Sequence, residues 1–330
     1  MARLAVTLAC GDYDRTRALA DGRVTVEGAD LTVLALGPEE IFFRMVRFGE
    51  FDVAELSLST YVLTAQQGAP FVAIPVFPSR AFRHSGIYVH SGAGVGSPRD
   101  LAGRRVGVAE YQLTANVWIR GILADFHDVP VSSVRYVTGG LHQSGRREKV
   151  AIPALPEGVE VTACPEGRTL AEMLVTGEID ALYTPRTPAP YAQGRPEVRR
   201  LFDDPAAEEA RYFAGTGVFP IMHTVVLRRA LYAEHRWLAR ALFKAFEQAR
   251  RQALDGIDET ATLKYMVPWL PGEVARTREL LGDDYWPYGV APNQRALDTF
   301  LRYSFEQGLA RSRLSPADLF ATETLEDFVT

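Results

Sequence analysis

The stretch PVFPSRAFRHS at residues 75–85 sets Arg80, Arg83 and His84 around Phe82, between two apolar runs that read as strands. In open α/β sheets, binding sites gather where strands end. Guanidinium groups grip carboxylates bidentately. Imidazole titrates near neutrality and can move a proton. Here, therefore, Arg80 and Arg83 are candidate carboxylate clamps and His84 a candidate proton carrier. The competing reading is a loop of solvated cations with a histidine packed beneath it.

Three further stretches combine polar groups with strand or helix ends. In ELSLST, Ser57 and Ser59 precede a helix. They can cap it, or join its free N–H groups in holding a carboxylate. Glu55 beside them is a candidate proton donor. In EYQLTANVWIR, Glu110, Gln112 and Thr114 lie between a strand end and a helix start, and Trp118 reads as core. In YTPR and FPIMH, Arg186 and His223 can face a cleft, with structural roles as the alternative.

These residues need elements to position them. The chain alternates strands and helices from its start, as in RLAVTLAC, LTVLAL and the helix PEEIFFRMVRF, which Pro38 opens and Gly49 closes. Glu39 and Glu40 suit the positive end of that helix. A long helical run, YAEHRWLARALFKAFEQARRQAL, buries Trp237, Ala241, Leu242, Ala245 and Phe246 on one face. Such alternation predicts mostly parallel sheets covered on both sides. With 330 residues, the chain exceeds the ~250–300 residues at which single cores stop growing. Two lobes are expected: 1–92 and 217–330 forming the first, and 93–216 inserted as the second, with a cleft between them.

Hydrophobic residues make up 47%, charged residues 23%, and the net charge is −5. That composition fits a globular protein and argues against nucleic acid or an anionic membrane as partner. The apolar run Leu4–Cys10 is too short to span a membrane and reads as a first strand, so a cytoplasmic location is expected. Two cysteines offer no metal or redox spacing. Nucleotide, zinc-protease and nucleophile-elbow motifs are absent. No cofactor is required by the sequence; a divalent metal and a homo-oligomeric state are left open.

FDVAELSLSTYV, IPVFPSRAFRHSGIYV, DLAGRRVGVAEYQLTANVWIRGIL, GGLHQSGRREK and GEIDALYTPRTP, in this order and spacing, resemble the 4,5-dihydroxyphthalate decarboxylase family. The resemblance implies a type 2 periplasmic binding protein-like fold, α/β and two-lobed, with mixed, mostly parallel sheets flanked by helices. It implies a cofactor-independent carboxy-lyase for a small aromatic carboxylate, yielding protocatechuate and CO2 by protonation of the ring. Arg80 and Arg83, with Ser57, Ser59, Gln112, Thr114, Arg186 and His223, would bind the substrate; His84, Glu55 and Glu110 would handle protons. One departure is His142, where the family carries an acid after Gly-Gly-Leu, so that loop is assigned no role. A solute-binding protein, or an enzyme for chorismate- or naphthoate-type acids, is the alternative on the same fold.

Overall fold

The computed structural model describes residues 3–68 and 70–326. Its strands are β1 (Leu4–Cys10), β2 (Ala29–Ala35), β3 (Val53–Ser57), β4 (Phe71–Arg80), β5 (Ile87–His90), β6 (Arg105–Val108), β7 (Arg135–Thr138), β8 (Glu160–Ala163), β9 (Ala181–Tyr183), β10 (Val198–Arg200) and β11 (Ile221–Arg228). They form two sheets, ordered β2-β1-β3-β11-β4 and β10-β5-β9-β6-β7-β8. β3 is buried along its whole length and β11 along most of it, as expected of central strands covered on both faces.

Each sheet has one reversed strand. β11 runs antiparallel to β3 and β4, and β5 runs antiparallel to β9 and β10. These two are the strands that enter a sheet directly after the chain has crossed between lobes. A chain that leaves β4 at its carboxyl end arrives on the cleft side of the second sheet and must run away from the cleft. The return crossing into β11 obeys the same geometry. The carboxyl ends of β1, β2 and β3 in one sheet and of β6, β7 and β9 in the other consequently share one seam.

This topology shifts one expected boundary. The sequence reading placed residues up to 92 in the first lobe, but β5 pairs with β9 and β10 in the second sheet. The crossing therefore lies between Arg80 and Ile87. IYVH carries no local mark of its sheet; only its partners decide that.

The C-terminal region also departs from a simple assignment to the first lobe. Helix Gln294–Glu306 packs against helix Thr114–His127 of the second lobe and helix Leu58–Ala65 of the first. Gly121 permits this approach, because a Cβ there would lie 2.2 Å from the Tyr303 ring. Trp118 is core: its Nε1 donates to Ile221 O at 2.8 Å, and its ring packs on Phe300.

Helix Pro38–Phe48 follows an extended Gly37, carries Pro38 in its first turn and ends at Gly49 in the left-handed region, φ 58°. The long helical run breaks into Arg229–Glu234 and Trp237–Leu254. Ala241, Leu242, Ala245 and Phe246 are buried as expected, whereas Trp237 is 44% exposed. Its ring overhangs Gly28 at the rim. Among the described residues, no helix is long and apolar enough to cross a membrane.

Candidate active site

A cavity of about 640 Å³ opens on the seam between the lobes. The second lobe supplies Ala109 and Glu110 after β6, the loop from Gly140 to Lys149 after β7, and Thr184 to Arg186 after β9. Glu39 and Phe43 come from the first lobe. Its lining carries four fixed cations, Arg146, Arg147, Lys149 and Arg186, against two carboxylates, Glu39 and Glu110. The excess of positive charge suits an anionic ligand.

The charged groups are interlocked. Glu110 is 2% exposed; it accepts from Arg146 Nε at 2.9 Å, Lys149 Nζ at 3.0 Å and Lys149 N at 3.2 Å. Glu39 reaches the same cations from the other lobe, at 2.9 Å from Arg146 and 3.2 Å from Lys149, with Arg186 at 3.9 Å. Burial works to raise the Glu39 pKa, but Lys149 and Arg146 outweigh it and hold the carboxyl below its usual range. Glu148 accepts from the backbone N–H groups of Tyr111 and Gln112, and Gln112 Nε2 donates to Val150 O at 3.1 Å. Gln112 thus fastens the 140–150 loop to the loop after β6. Gly140 is obligatory in that turn, since a Cβ would meet Gln143 O at 1.6 Å.

A second polar centre lies at the carboxyl edge of the first sheet. Glu55 is fully buried on β3. It accepts from Gly11 N and Tyr13 Oη, each at 2.9 Å, and its Oε1 stands 2.5 Å from His223 Nδ1. Burial raises the Glu55 pKa, but His223 and these donors prevail and the carboxyl lies below its ordinary value. An ionised carboxylate only accepts, so Nδ1 carries the hydrogen and Nε2 remains for chemistry. His223 is partly exposed, and the Phe42 ring meets it edge-on at 4.9 Å. A carboxylate that orients an imidazole in this way makes an acid–base pair.

The lobes touch beside this pair. His223 faces Ser57 across β11 and β3. Ser57 Oγ lies 2.8 Å from Thr114 Oγ1, which accepts from Ser59 N at 3.0 Å. Ser57 also caps its own helix through Thr60 N. Two amides at this helix start are therefore engaged, Ser59 N by a hydroxyl from the opposite lobe and Thr60 N by Ser57.

The Arg-Arg-His stretch takes a different part from the one its charges suggest. Arg80 is 7% exposed and turns toward the C-terminal segment. It donates to Phe219 O at 3.3 Å, Pro287 O at 2.8 Å and Asn293 Oδ1. Burial lowers its pKa to about 9. Where a substrate clamp was expected, the Arg80 guanidinium is engaged in tying residues 287–293 to the end of β4. His84 sits in a box of Phe202, Tyr212 and His127 rings, with burial lowering its pKa to about 4. In this box it packs as a neutral ring. Arg83 Nε meets Met222 Sδ at 3.1 Å, and burial lowers its pKa to about 10 against the pull of Glu209.

Of the candidates, Glu110 and Arg186 line the cavity, Glu55 and His223 form the carboxylate–imidazole pair, and Ser57, Ser59 and Thr114 join the lobes. Glu39, Arg146 and Lys149 were passed over. Three cations, Arg146, Arg147 and Lys149, follow the end of β7 in GGLHQSGRREK, the same strand-end signal that marks Arg80 and Arg83.

A two-lobed α/β frame with a cation-lined seam is the periplasmic binding protein-like fold. The aliphatic sulphonate binding protein SsuA of Escherichia coli superposes with a TM-score of 0.51 at 13% identity, covering 98% of this chain and 99% of that one. The alkanesulfonate-binding protein SsuA of Xanthomonas axonopodis pv. citri gives 0.51 at 11%, covering 97% and 98%. At such identities the likeness speaks for the fold alone. No protein-family model matches the chain. Sequence relatives are more particular. The chain is 44% identical over 329 residues to 4,5-dihydroxyphthalate decarboxylase of Comamonas testosteroni, covering 99% of both chains. It is 46% identical over 214 residues to the Pseudomonas putida protein of that name, covering 64% of this chain and 83% of that one. The chain belongs to the 4,5-dihydroxyphthalate decarboxylase family.

Proposed function

We propose that this protein is a carboxy-lyase that converts 4,5-dihydroxyphthalate to protocatechuate and CO2 in the cleft between its lobes. The observation that carries the reading is the end-to-end match to a decarboxylase of that name, at 44% identity over 99% of both chains. The cationic lining agrees with a dicarboxylate substrate.

In the proposed reaction, Arg146, Lys149 and Arg186 seat the carboxylates, and Glu110 keeps Arg146 and Lys149 in place. Each substrate carboxylate lies para to a ring hydroxyl. Electron density from that hydroxyl loads the ring carbon bearing the carboxylate. His223, held by Glu55 through its Nδ1–H, takes a proton from solvent at Nε2 and delivers it to that carbon. The carbon–carboxylate bond then breaks, its electron pair returns to the ring, and CO2 leaves. A positioned proton donor contributes typically ~10²–10⁴-fold. Closure of the lobes strengthens the ion pairs by excluding water.

A cytoplasmic location goes with this reading. Cys10 and Cys164 stand as separate thiols, which suits a reducing compartment; cell fractionation tests it. For the activity, purified protein is incubated with 4,5-dihydroxyphthalate while CO2 and protocatechuate are followed. Equal release of both is expected. No turnover across a panel of hydroxylated aromatic acids, with and without divalent metal, would overturn the proposal.

A further inference from the structure

We propose that Glu39 is a displaceable internal carboxylate, holding from the first lobe the cationic seat on the second lobe that a substrate carboxylate takes over. The inference rests on the functional reading above and names how its anion subsite is filled and emptied.

The two acids on this seat differ in kind. Glu110 belongs to the same lobe as its cations, has a 2% exposed side chain and also takes the Lys149 backbone N–H. It is a fixture, and baring a buried carboxylate is costly. Glu39 comes from the opposite lobe, and its side chain is 39% exposed. It can swing into water at small cost, and its helix keeps Glu40 in the same first turn. All three of its partners, Arg146, Lys149 and Arg186, line the cavity. Arg186 is only loosely engaged, at 3.9 Å and with 66% of its side chain exposed.

An aromatic ring with adjacent carboxylates can put one on Arg146 and Lys149 in place of Glu39 and the other toward Arg186. A monocarboxylate offers one group against Glu39 and competes poorly. After CO2 leaves, the product is such a monocarboxylate, and the return of Glu39 to its cations ejects it. One side chain thereby favours the dicarboxylate and clears the product.

The test measures calorimetric Kd values of phthalate and benzoate, which lack the activating hydroxyls, for wild type, Glu39→Gln, Glu39→Asp and Glu40→Gln. Turnover of 4,5-dihydroxyphthalate is followed in parallel. Glu40→Gln removes an equal charge one residue away and controls for long-range field. Glu39→Gln should bind both acids roughly tenfold tighter, the scale of one charge-assisted contact. Its preference for phthalate over benzoate should narrow, and inhibition by protocatechuate should strengthen. Glu39→Asp should fall between it and wild type, and Glu40→Gln should match wild type. Unchanged or weaker binding in folded Glu39→Gln, or equal tightening in Glu40→Gln, overturns the inference. Failure of wild type to turn over substrate would instead strike the functional reading, because the phthalate and benzoate affinities do not depend on it.

Discussion

His223 and Glu55 are diagonal neighbours on antiparallel strands, with Nδ1 2.5 Å from Oε1. Val225 is the residue directly opposite Glu55, and His223 lies two positions along. Strand side chains alternate faces, so this register puts both groups on one face of the sheet. Gly11 and Tyr13, at the end of β1, complete the shell around the carboxylate.

The pair should separate chemistry from binding. His223→Gln should lower kcat by about 10²–10⁴-fold, the usual contribution of a positioned acid or base. The Kd for phthalate should stay within about threefold, since no anion contact is lost. Glu55→Gln should also lower kcat and should cost stability, because three donors, Gly11 N–H, Tyr13 O–H and His223 Nδ1–H, would then share one amide oxygen. Single-turnover kinetics beside calorimetry check this. A His223→Gln enzyme with wild-type kcat would remove the histidine from the reaction.

The cations should act mainly on affinity. Arg186→Gln should raise KM without moving the melting temperature, since the side chain is 66% exposed. Arg146→Gln should raise KM more, by about 10–100-fold for one charge-assisted contact. It should also destabilise the fold, because Glu110 loses a partner inside the protein. Raising ionic strength should weaken phthalate binding in wild type and less so in Arg146→Gln.

Arg80 should matter to stability rather than to affinity. Arg80→Met strips hydrogen bonds from Phe219 O, Pro287 O and Asn293 Oδ1. The orphaned acceptors should cost about 2–4 kcal/mol in urea unfolding. The folded fraction should keep its KM, as measured by initial rates below the unfolding transition.

His84 sets a pH dependence of stability. Its folded pKa is lowered to about 4 by burial first, then by His127 and Arg211, whereas an unfolded histidine titrates near ~6.5. Between these values the unfolded chain binds more protons than the native one. Its contribution therefore destabilises the fold as pH falls from about 6.5 toward 4, by up to about 1.4 kcal/mol per pH unit. His84→Phe should flatten that slope relative to wild type in urea titrations at several pH values. It should leave the pH profile of turnover unchanged.

Much of the architecture was legible in local pattern. Alternating strands and helices, Pro38 at a helix start, Gly49 at its end and the apolar face of Trp237–Leu254 follow from periodicity and backbone preference. β10 and helix Pro205–Thr216 were overlooked, although Asp204 followed by Pro205 is a regular start signal. Charge at strand ends marked the right kind of place but could not say which ends face each other. Arg80 and Arg146 look alike in sequence; one ends a strand beside the C-terminal segment, the other enters the cleft.

Residue order by itself determined that two α/β lobes form, that strand ends carry cations and acids, and that 4,5-dihydroxyphthalate decarboxylases are kin. Those properties reside in spacing and residue type, which a chain carries before it folds. Tertiary structure alone decided that β5 joins the second sheet, that His223 meets Glu55 and that Glu39 reaches across to Arg146 and Lys149. Such pairings join residues far apart in sequence, and only the register of strands and the closing of one lobe on the other bring them within a hydrogen bond.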